Sequence, residues 1–310
     1  MKTFTPNAIA EPSGVITVVP SAAALGAEVR CGDLRALDDA GIAAVRAAWL
    51  ENLVIVIRGQ ALTDAELIAF GRRLGELDTA PLSKTGKEQA RAHPEVIIVS
   101  NVMENGVPIG VLRDAEVVWH SDNSYREMPL SFSALYALEI PPAGGDTGFA
   151  NMYLALETLP ADLRVSIETL TIKHDMTYNS AGDLREGFQP VADVRAAPGP
   201  LHPIVRTHAE TACNALYLGR RPNAYIDGLP VAESEQILDA LWAHATQPQF
   251  TWHHRWRTGD VVIWDNRCVM HHREPFDAGA RRVMHRIQGK GDKPVQRSDA
   301  KTTPHMRAAR

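Results

Sequence analysis

A histidine and a carboxylate two residues apart, His120 and Asp122 in the stretch Trp119-His120-Ser121-Asp122, are the residues of this chain best placed to do chemistry. Side chains alternate along a strand with period two. On a strand the pair would therefore share a face and offer one imidazole nitrogen and one carboxylate oxygen to a single point. That pair is two-thirds of a two-histidine-one-carboxylate facial triad, which binds Fe(II) and leaves three positions open for a co-substrate and O2. The third ligand must be a distant histidine. The stretch Gly259-Asp260-Val261-Val262-Ile263-Trp264-Asp265-Asn266-Arg267-Cys268-Val269-Met270-His271-His272 supplies one, at His271 or His272. A lone His-x-Asp pair is more often a strand-edge hydrogen bond or two solvated residues. The later histidines, followed by Arg281-Arg282-Val283-Met284-His285-Arg286, give this pair its weight.

The bulk properties narrow the classes. The 310 residues are 45% hydrophobic and 22% charged, ordinary values for a globular chain able to bury a large core. A net charge of -5 and a pI near 6.2 give no general pull toward nucleic acid or an anionic membrane. Cys31, Cys213 and Cys268 are odd in number and far apart. That argues against a disulfide framework or zinc ribbon and for a reduced, intracellular setting. No apolar run is long enough for a membrane span, and Met1-Lys2-Thr3-Phe4-Thr5-Pro6 lacks the apolar core of a signal peptide.

The elements that must position these residues are mostly short strands. Val15–Val19, Ala27–Arg30, Val54–Ile57, Glu95–Asn101, Leu130–Leu138, His202–Thr207, Asn214–Leu218 and Arg282–Gln288 read as strands. Phe250–His253 and Val261–Trp264 read as two more, joined through Arg257-Thr258-Gly259-Asp260 as a hairpin. Helices are expected from Asp38 to Glu51, from a Thr63–Glu66 capping box to Leu74, from Asn151 to Leu170 with a break at Pro160, and from Glu233 to Ala245. Residues 78–94 and 177–200 read as loops, and the tail after Gly289 as loose. There is no regular β-α alternation and no glycine-rich phosphate loop, which excludes a Rossmann fold. The pattern implies one mainly β domain over 1–310 with helices outside.

These motifs resemble the taurine/2,4-D dioxygenase family of Fe(II)- and 2-oxoglutarate-dependent oxygenases. The resemblance runs from Leu25-Gly26-Ala27-Glu28-Val29, through Gly144-Gly145-Asp146-Thr147, to Arg282-Val283-Met284-His285-Arg286. It implies a double-stranded β-helix (jelly roll) with flanking helices, a cytoplasmic homo-oligomer (dimer or tetramer), and Fe(II), 2-oxoglutarate and O2 as cofactor and co-substrates. Residue by residue, it implies His120, Asp122 and His271 as iron ligands, His271 lying seven positions after Trp264 where the family places its distal histidine. His272 is the alternative; on a strand the two face opposite ways, so only one can be a ligand. Thr147 matches the threonine that bonds 2-oxoglutarate, and Arg282 the arginine that grips its far carboxylate, a task suited to a guanidinium fork. Arg286 shares Arg282's parity and would lie near both organic anions, whereas Arg281 and His285 would lie outside the site. Trp264 either walls the pocket or packs the core.

The implied reaction is hydroxylation of a small organic anion with release of succinate and CO2. C–O or C–S cleavage follows where the carbon attacked bears a leaving group. The positions matching the taurine-binding histidine and tyrosine are Ala80 and Ser83, a departure from taurine. Lys84 stands where aryloxyacetate-cleaving relatives carry a lysine and could pair with a substrate carboxylate. Lys87, Arg91, Arg113 and Arg185 are further basic candidates. A halogenase is excluded because Asp122 occupies the position a halide would need. A 2-oxoglutarate-independent cupin-type dioxygenase and a non-catalytic jelly-roll binding protein are the alternatives; Arg282 and Thr147 argue against the first, and the intact ligand set against the second.

Overall fold

The computed structural model describes residues 16–79, 92–111, 117–179 and 182–301. Two sheets carry the site. The major sheet runs in the order β1 (Thr17–Pro20), β2 (Ala27–Arg30), β3 (Val54–Ile57), β16 (Val261–Asp265), β8 (Leu130–Glu139), β18 (Val283–Lys290), β4 (Ile97–Ser100). The minor sheet runs β15 (Thr251–His254), β9 (Thr147–Asn151), β17 (Val269–Arg273), β7 (Val117–His120). Smaller pairings join β10 (Thr171–Lys173) to β11 (Leu201–Pro203) and β14 (Tyr225–Ile226), β12 (Val205–Thr207) to β13 (Asn214–Leu216), and β5 (Met103–Glu104) to β6 (Val107–Pro108).

Period-two alternation builds the layers. Val54, Val56, Leu135, Ala137, Val262 and Trp264 face the minor sheet, where Phe149 meets Trp264 at 5.6 Å between ring centres. Ile55, Ile57, Ala134, Tyr136, Val261 and Ile263 face the other way, onto α1 (Asp39–Asn52) and α2 (Asp64–Leu74). Both helices start as the sequence implies: Asp38 accepts from the Gly41 N–H at 2.8 Å, and Thr63 and Glu66 form a reciprocal capping box. α3 (Met152–Glu157) and α4 (Ala161–Ile167) are separated at Pro160, and α5 (Val231–Ala245) packs into the core of the minor sheet. This is the expected jelly roll with flanking helices. No helix of the described residues is long and apolar enough to cross a membrane.

Three expectations need correction. β15 and β16 are not a hairpin: β15 pairs with β9, and β16 with β3 and β8, so the chain crosses from one sheet to the other between them. The crossing is held by the Asp260 carboxylate, which accepts from the Arg257 N–H and meets His254 Nε2 and Arg58. The strand expected at 202–207 is two strands, because β11 pairs with β10 and β12 with β13 on either side of Ile204. The tail is not loose through residue 301. Thr207 N–H donates to the Val295 carbonyl, Arg297 N–H to the Thr207 hydroxyl, and Lys301 N–H to the Ala212 carbonyl, so open groups of β12 and the β12–β13 turn bind it. Residues 80–91 of the first expected loop lie outside the described residues.

Candidate active site

His120 closes β7 and His271 lies mid-way along β17, directly opposite it in the antiparallel register. Asp122 is not on the strand, contrary to the sequence argument. β7 ends at His120, and the chain turns through Asn123 at φ 51°. Ser121 N–H donates to the Gly219 carbonyl at 3.1 Å, and His202 Nε2 bonds the Ser124 and Arg126 carbonyls at 3.1 and 2.9 Å. A clamped turn, rather than strand parity, brings the carboxylate round. His120 Nε2 stands 3.6 Å from Asp122 Oδ1, and His271 Nε2 stands 3.9 Å from Oδ2. Their ligand atoms all lie within 4.8 Å of one another.

The electrostatics suit a cation. His120 Nδ1 bonds the Val118 carbonyl at 2.8 Å; a carbonyl only accepts, so Nδ1 carries the proton and Nε2 keeps a lone pair for a metal. Burial, reinforced by His120, pushes the His271 pKa well below its ordinary value, leaving a neutral imidazole. Burial opposes the charge on Asp122, but its surroundings, the Arg286 guanidinium foremost, outweigh it and hold its carboxyl well below the usual carboxylate range. The Ser133 hydroxyl donates to Asp122 Oδ2 at 2.7 Å and itself accepts from Asn266 Nδ2 and Gln288 Nε2 at 3.0 and 3.2 Å. Trp264 stands behind this layer. Its N–H donates to Asn266 Oδ1 at 2.9 Å and its ring centre lies 4.8 Å from that of His271.

Sequence reasoning missed Ser133, Asn266 and Gln288. Ser133 and Gln288 carried the signal of a polar residue at an inward parity on an apolar strand; Asn266 stands in the turn after β16 and carried none. Ser133→Ala is expected to weaken metal binding by about 10- to 100-fold, the usual effect of losing a partner behind a ligand. A Co(II) titration followed by absorbance measures it.

β17 separates the two histidines as alternation requires. His272 faces away from Asp122, with its ring 4.2 Å from that of Trp119 and 5.3 Å from that of His253. Burial, then His253, lowers its pKa to about 4. Its imidazole covers Gly148, where a Cβ would come 2.3 Å from Nε2. Gly148→Ala is therefore expected to destabilise the fold by about 1–3 kcal/mol, read as a lower thermal midpoint.

The arginines divide as their parity implies. Arg286 Nη1 approaches Asp122 Oδ1 at 3.3 Å. Arg282 is 2% exposed, and its Nε has no partner among the described residues. Burial, then Arg273, lowers its pKa to about 9, only partly offset by Asp146. Thr147 sits on β9 opposite Arg273, two residues from Phe149, which is opposite His271. It therefore shares the inward face and accepts a hydrogen bond from Trp256 Nε1 at 3.0 Å. Arg281 is exposed and pairs with Glu139, while His285 lies outside the site but is buried against Asp64 of α2. Arg185 lies 4.0 Å from the centre of the Tyr125 ring. Ala80, Ser83, Lys84, Lys87, Arg91 and Arg113 lie outside the described residues.

A second cluster of ligand-type groups, His208, Asp265 and Cys268, is equally compact. There the Arg267 guanidinium already bonds both Asp265 oxygens, at 2.8 and 2.7 Å, so a cation's place is taken. Only the first cluster fits a metal. A jelly roll with two imidazoles and an ionised carboxylate at one point has the make-up of a non-haem Fe(II) oxygenase.

The comparisons with known proteins agree. The family model described as taurine catabolism dioxygenase TauD, TfdA family, matches residues 17–288. The α-ketoglutarate-dependent 2,4-dichlorophenoxyacetate dioxygenase of Cupriavidus pinatubonensis is 37% identical over 263 residues, 82% of this chain and 90% of that one. The (S)-phenoxypropionate/α-ketoglutarate-dioxygenase of Sphingobium herbicidovorans is 34% identical over 297 residues, 90% and 96% of the two chains. A solved structure of a taurine dioxygenase from Burkholderia xenovorans superposes with a TM-score of 0.73 at 34% identity, covering 94% of this chain and 95% of that one. The chain belongs to the TauD/TfdA family. It is a 2-oxoglutarate-dependent dioxygenase, of a class that uses Fe(II) and O2, which sets aside the cupin-type and non-catalytic alternatives.

Proposed function

We propose that His120, Asp122 and His271 hold the Fe(II), that Arg282 and Thr147 hold the far carboxylate of 2-oxoglutarate, and that the substrate is an aryloxyalkanoate. The observation carrying this reading is the convergence of the three ligand atoms within 4.8 Å, on the inward face that also carries Thr147, in a core that buries Arg282 with its Nε unpartnered among the described residues. The donor set suits a ferrous ion: the Nε2 of His120, whose Nδ1 is committed to the Val118 carbonyl, the Nε2 of a His271 held neutral by burial, and one ionised oxygen. Arg282, only partly compensated by Asp146, suits a dicarboxylate.

Bound Fe(II) supplies O2 activation, coupled to conversion of 2-oxoglutarate to succinate and CO2. The chain's own residues do the positioning. His120 and His271 present their lone pairs from opposed strands, and Ser133 and Arg286 keep the Asp122 carboxylate ionised and oriented. Buried aromatic side chains, Phe149 and Trp264, exclude water behind the ligands. One oxygen atom enters the substrate C–H and the other enters succinate. Hydroxylation at the carbon bearing the ether oxygen gives a hemiketal, which collapses to a phenol and a 2-oxo acid with no further oxidant.

Arg282, Arg286 and a ferrous ion together outweigh Asp122 and the two carboxylates of 2-oxoglutarate. The site therefore keeps a positive excess that favours an anionic substrate. Arg286 is the described residue proposed to meet it, and Lys84, outside the described residues, is the second. The relatives named for 2,4-dichlorophenoxyacetate and phenoxypropionate, and the loss of the taurine-type histidine and tyrosine at 80 and 83, support aryloxyalkanoates over sulfonates.

Aryloxyalkanoates, sulfonates and alkyl sulfates are to be screened for substrate-dependent succinate. Succinate with a matching phenol is expected from the first group. Succinate from sulfonates or sulfates alone overturns the substrate assignment, and none from any overturns the anionic reading. We also propose one catalytic domain, in the cytoplasm, where Cys31, Cys213 and Cys268 stay as thiols. A dimer or tetramer completes the reading; light scattering that finds a monomer refutes that part.

A further inference from the structure

Trp256 lies between β15 and β16, in the segment where the chain crosses between sheets. It is 6% exposed, and its ring packs edge-on against His254 at 4.7 Å. The segment is clamped from both sides, since Asp260 Oδ2 accepts from the Arg257 N–H at 2.9 Å and meets His254 Nε2 at 3.0 Å. The indole N–H is a donor only, and it points at Thr147 Oγ1 from 3.0 Å. A hydroxyl has one proton and two lone pairs. With one lone pair taken by Trp256, the Thr147 oxygen is committed as an acceptor on that side, and its proton must leave in another direction. No acceptor for that proton is found among the described residues. Thr147 shares the inward face of β9 with Phe149, opposite His271 on β17.

We infer that Trp256 is a positioning residue for 2-oxoglutarate, acting through Thr147. Its N–H sets the polarity of the hydroxyl, so that the Thr147 proton is aimed into the pocket as a ready donor to the co-substrate's carboxylate. The inference rests on the proposed role of Thr147. Without the indole N–H the hydroxyl is free to rotate, and an ordering cost falls on binding 2-oxoglutarate, not on the metal or on turnover once the site is full. A packing role would instead act regardless of what stands at 147.

The test is a double-mutant cycle of Trp256→Phe and Thr147→Val, read as KM for 2-oxoglutarate, kcat and metal affinity. Trp256→Phe is expected to raise KM about three- to tenfold, the range of one neutral hydrogen bond, with kcat and metal affinity nearly unchanged. Thr147→Val is expected to do at least as much. In the Thr147→Val background, Trp256→Phe is expected to add nothing. If the Phe variant fails to fold, an isosteric benzothiophene at 256, which lacks the N–H, gives the same reading. Additive effects overturn the inference while leaving the Thr147 assignment intact. An unchanged KM in Thr147→Val overturns both, and a fall in kcat or metal affinity with unchanged KM in Trp256→Phe shows a packing role only.

Discussion

His271→Ala is expected to abolish turnover and, under anaerobic conditions, the charge-transfer band of the Fe(II)–2-oxoglutarate complex, while His272→Ala keeps both. The two residues are chain neighbours of the same type, so composition and local charge hardly differ between the variants. Only orientation separates them: His271 Nε2 is 3.9 Å from Asp122 Oδ2, whereas His272 lies against Trp119 and Gly148 on the other face. Loss of one of three ligands should exceed the roughly 10- to 100-fold in affinity that loss of a supporting partner costs. His120→Ala should match His271→Ala, because the two imidazoles face each other from opposed strands. Equal, small effects of His271→Ala and His272→Ala would contradict the ligand assignment.

Arg282→Met is expected to raise KM for 2-oxoglutarate by about 30-fold or more, the lower end of the roughly 2–5 kcal/mol that losing one partner of a buried charge pair costs. Without 2-oxoglutarate the same variant is expected to be no less stable than the native chain, and at neutral pH more so. The native chain buries a guanidinium with Nε unpartnered, and an isolated buried charge is costly. Burial, then Arg273, lowers the Arg282 pKa. A guanidinium nonetheless keeps its proton in a protein, so the cost of burying the charge is in full force at neutral pH. Melting curves at pH 7 without 2-oxoglutarate should show the native chain melting no higher than Arg282→Met. Added 2-oxoglutarate should raise the native midpoint and leave the variant's unmoved. A variant that melts lower at pH 7 and keeps its KM would remove Arg282 from the co-substrate site.

The sequence by itself determined what local chemistry can encode. Apolar, β-branched runs at Val54–Ile57 and Val261–Trp264 specified strands, and the Thr63–Glu66 box and Asp38 specified where helices start. Parity on β17 separated His271 from His272, because a pleated strand has only two faces; Arg281 and Arg282 stand just before β18, and the fold exposes the one and buries the other. The tertiary structure decided everything that depends on contacts distant in the chain. Asp122 reaches the histidines through a turn held by Gly219 and His202, so the two-residue spacing marked the right carboxylate for a reason the backbone does not use. Ser133 of β8 donates to that carboxylate, and Asn266 in the turn after β16 and Gln288 of β18 converge on the Ser133 hydroxyl. The crossing after β15, read from sequence as a hairpin, places Trp256 on Thr147, 109 residues away along the chain. A hydrogen bond between such distant groups leaves no periodic trace in either segment, since it depends on how two sheets stack and not on how one strand repeats.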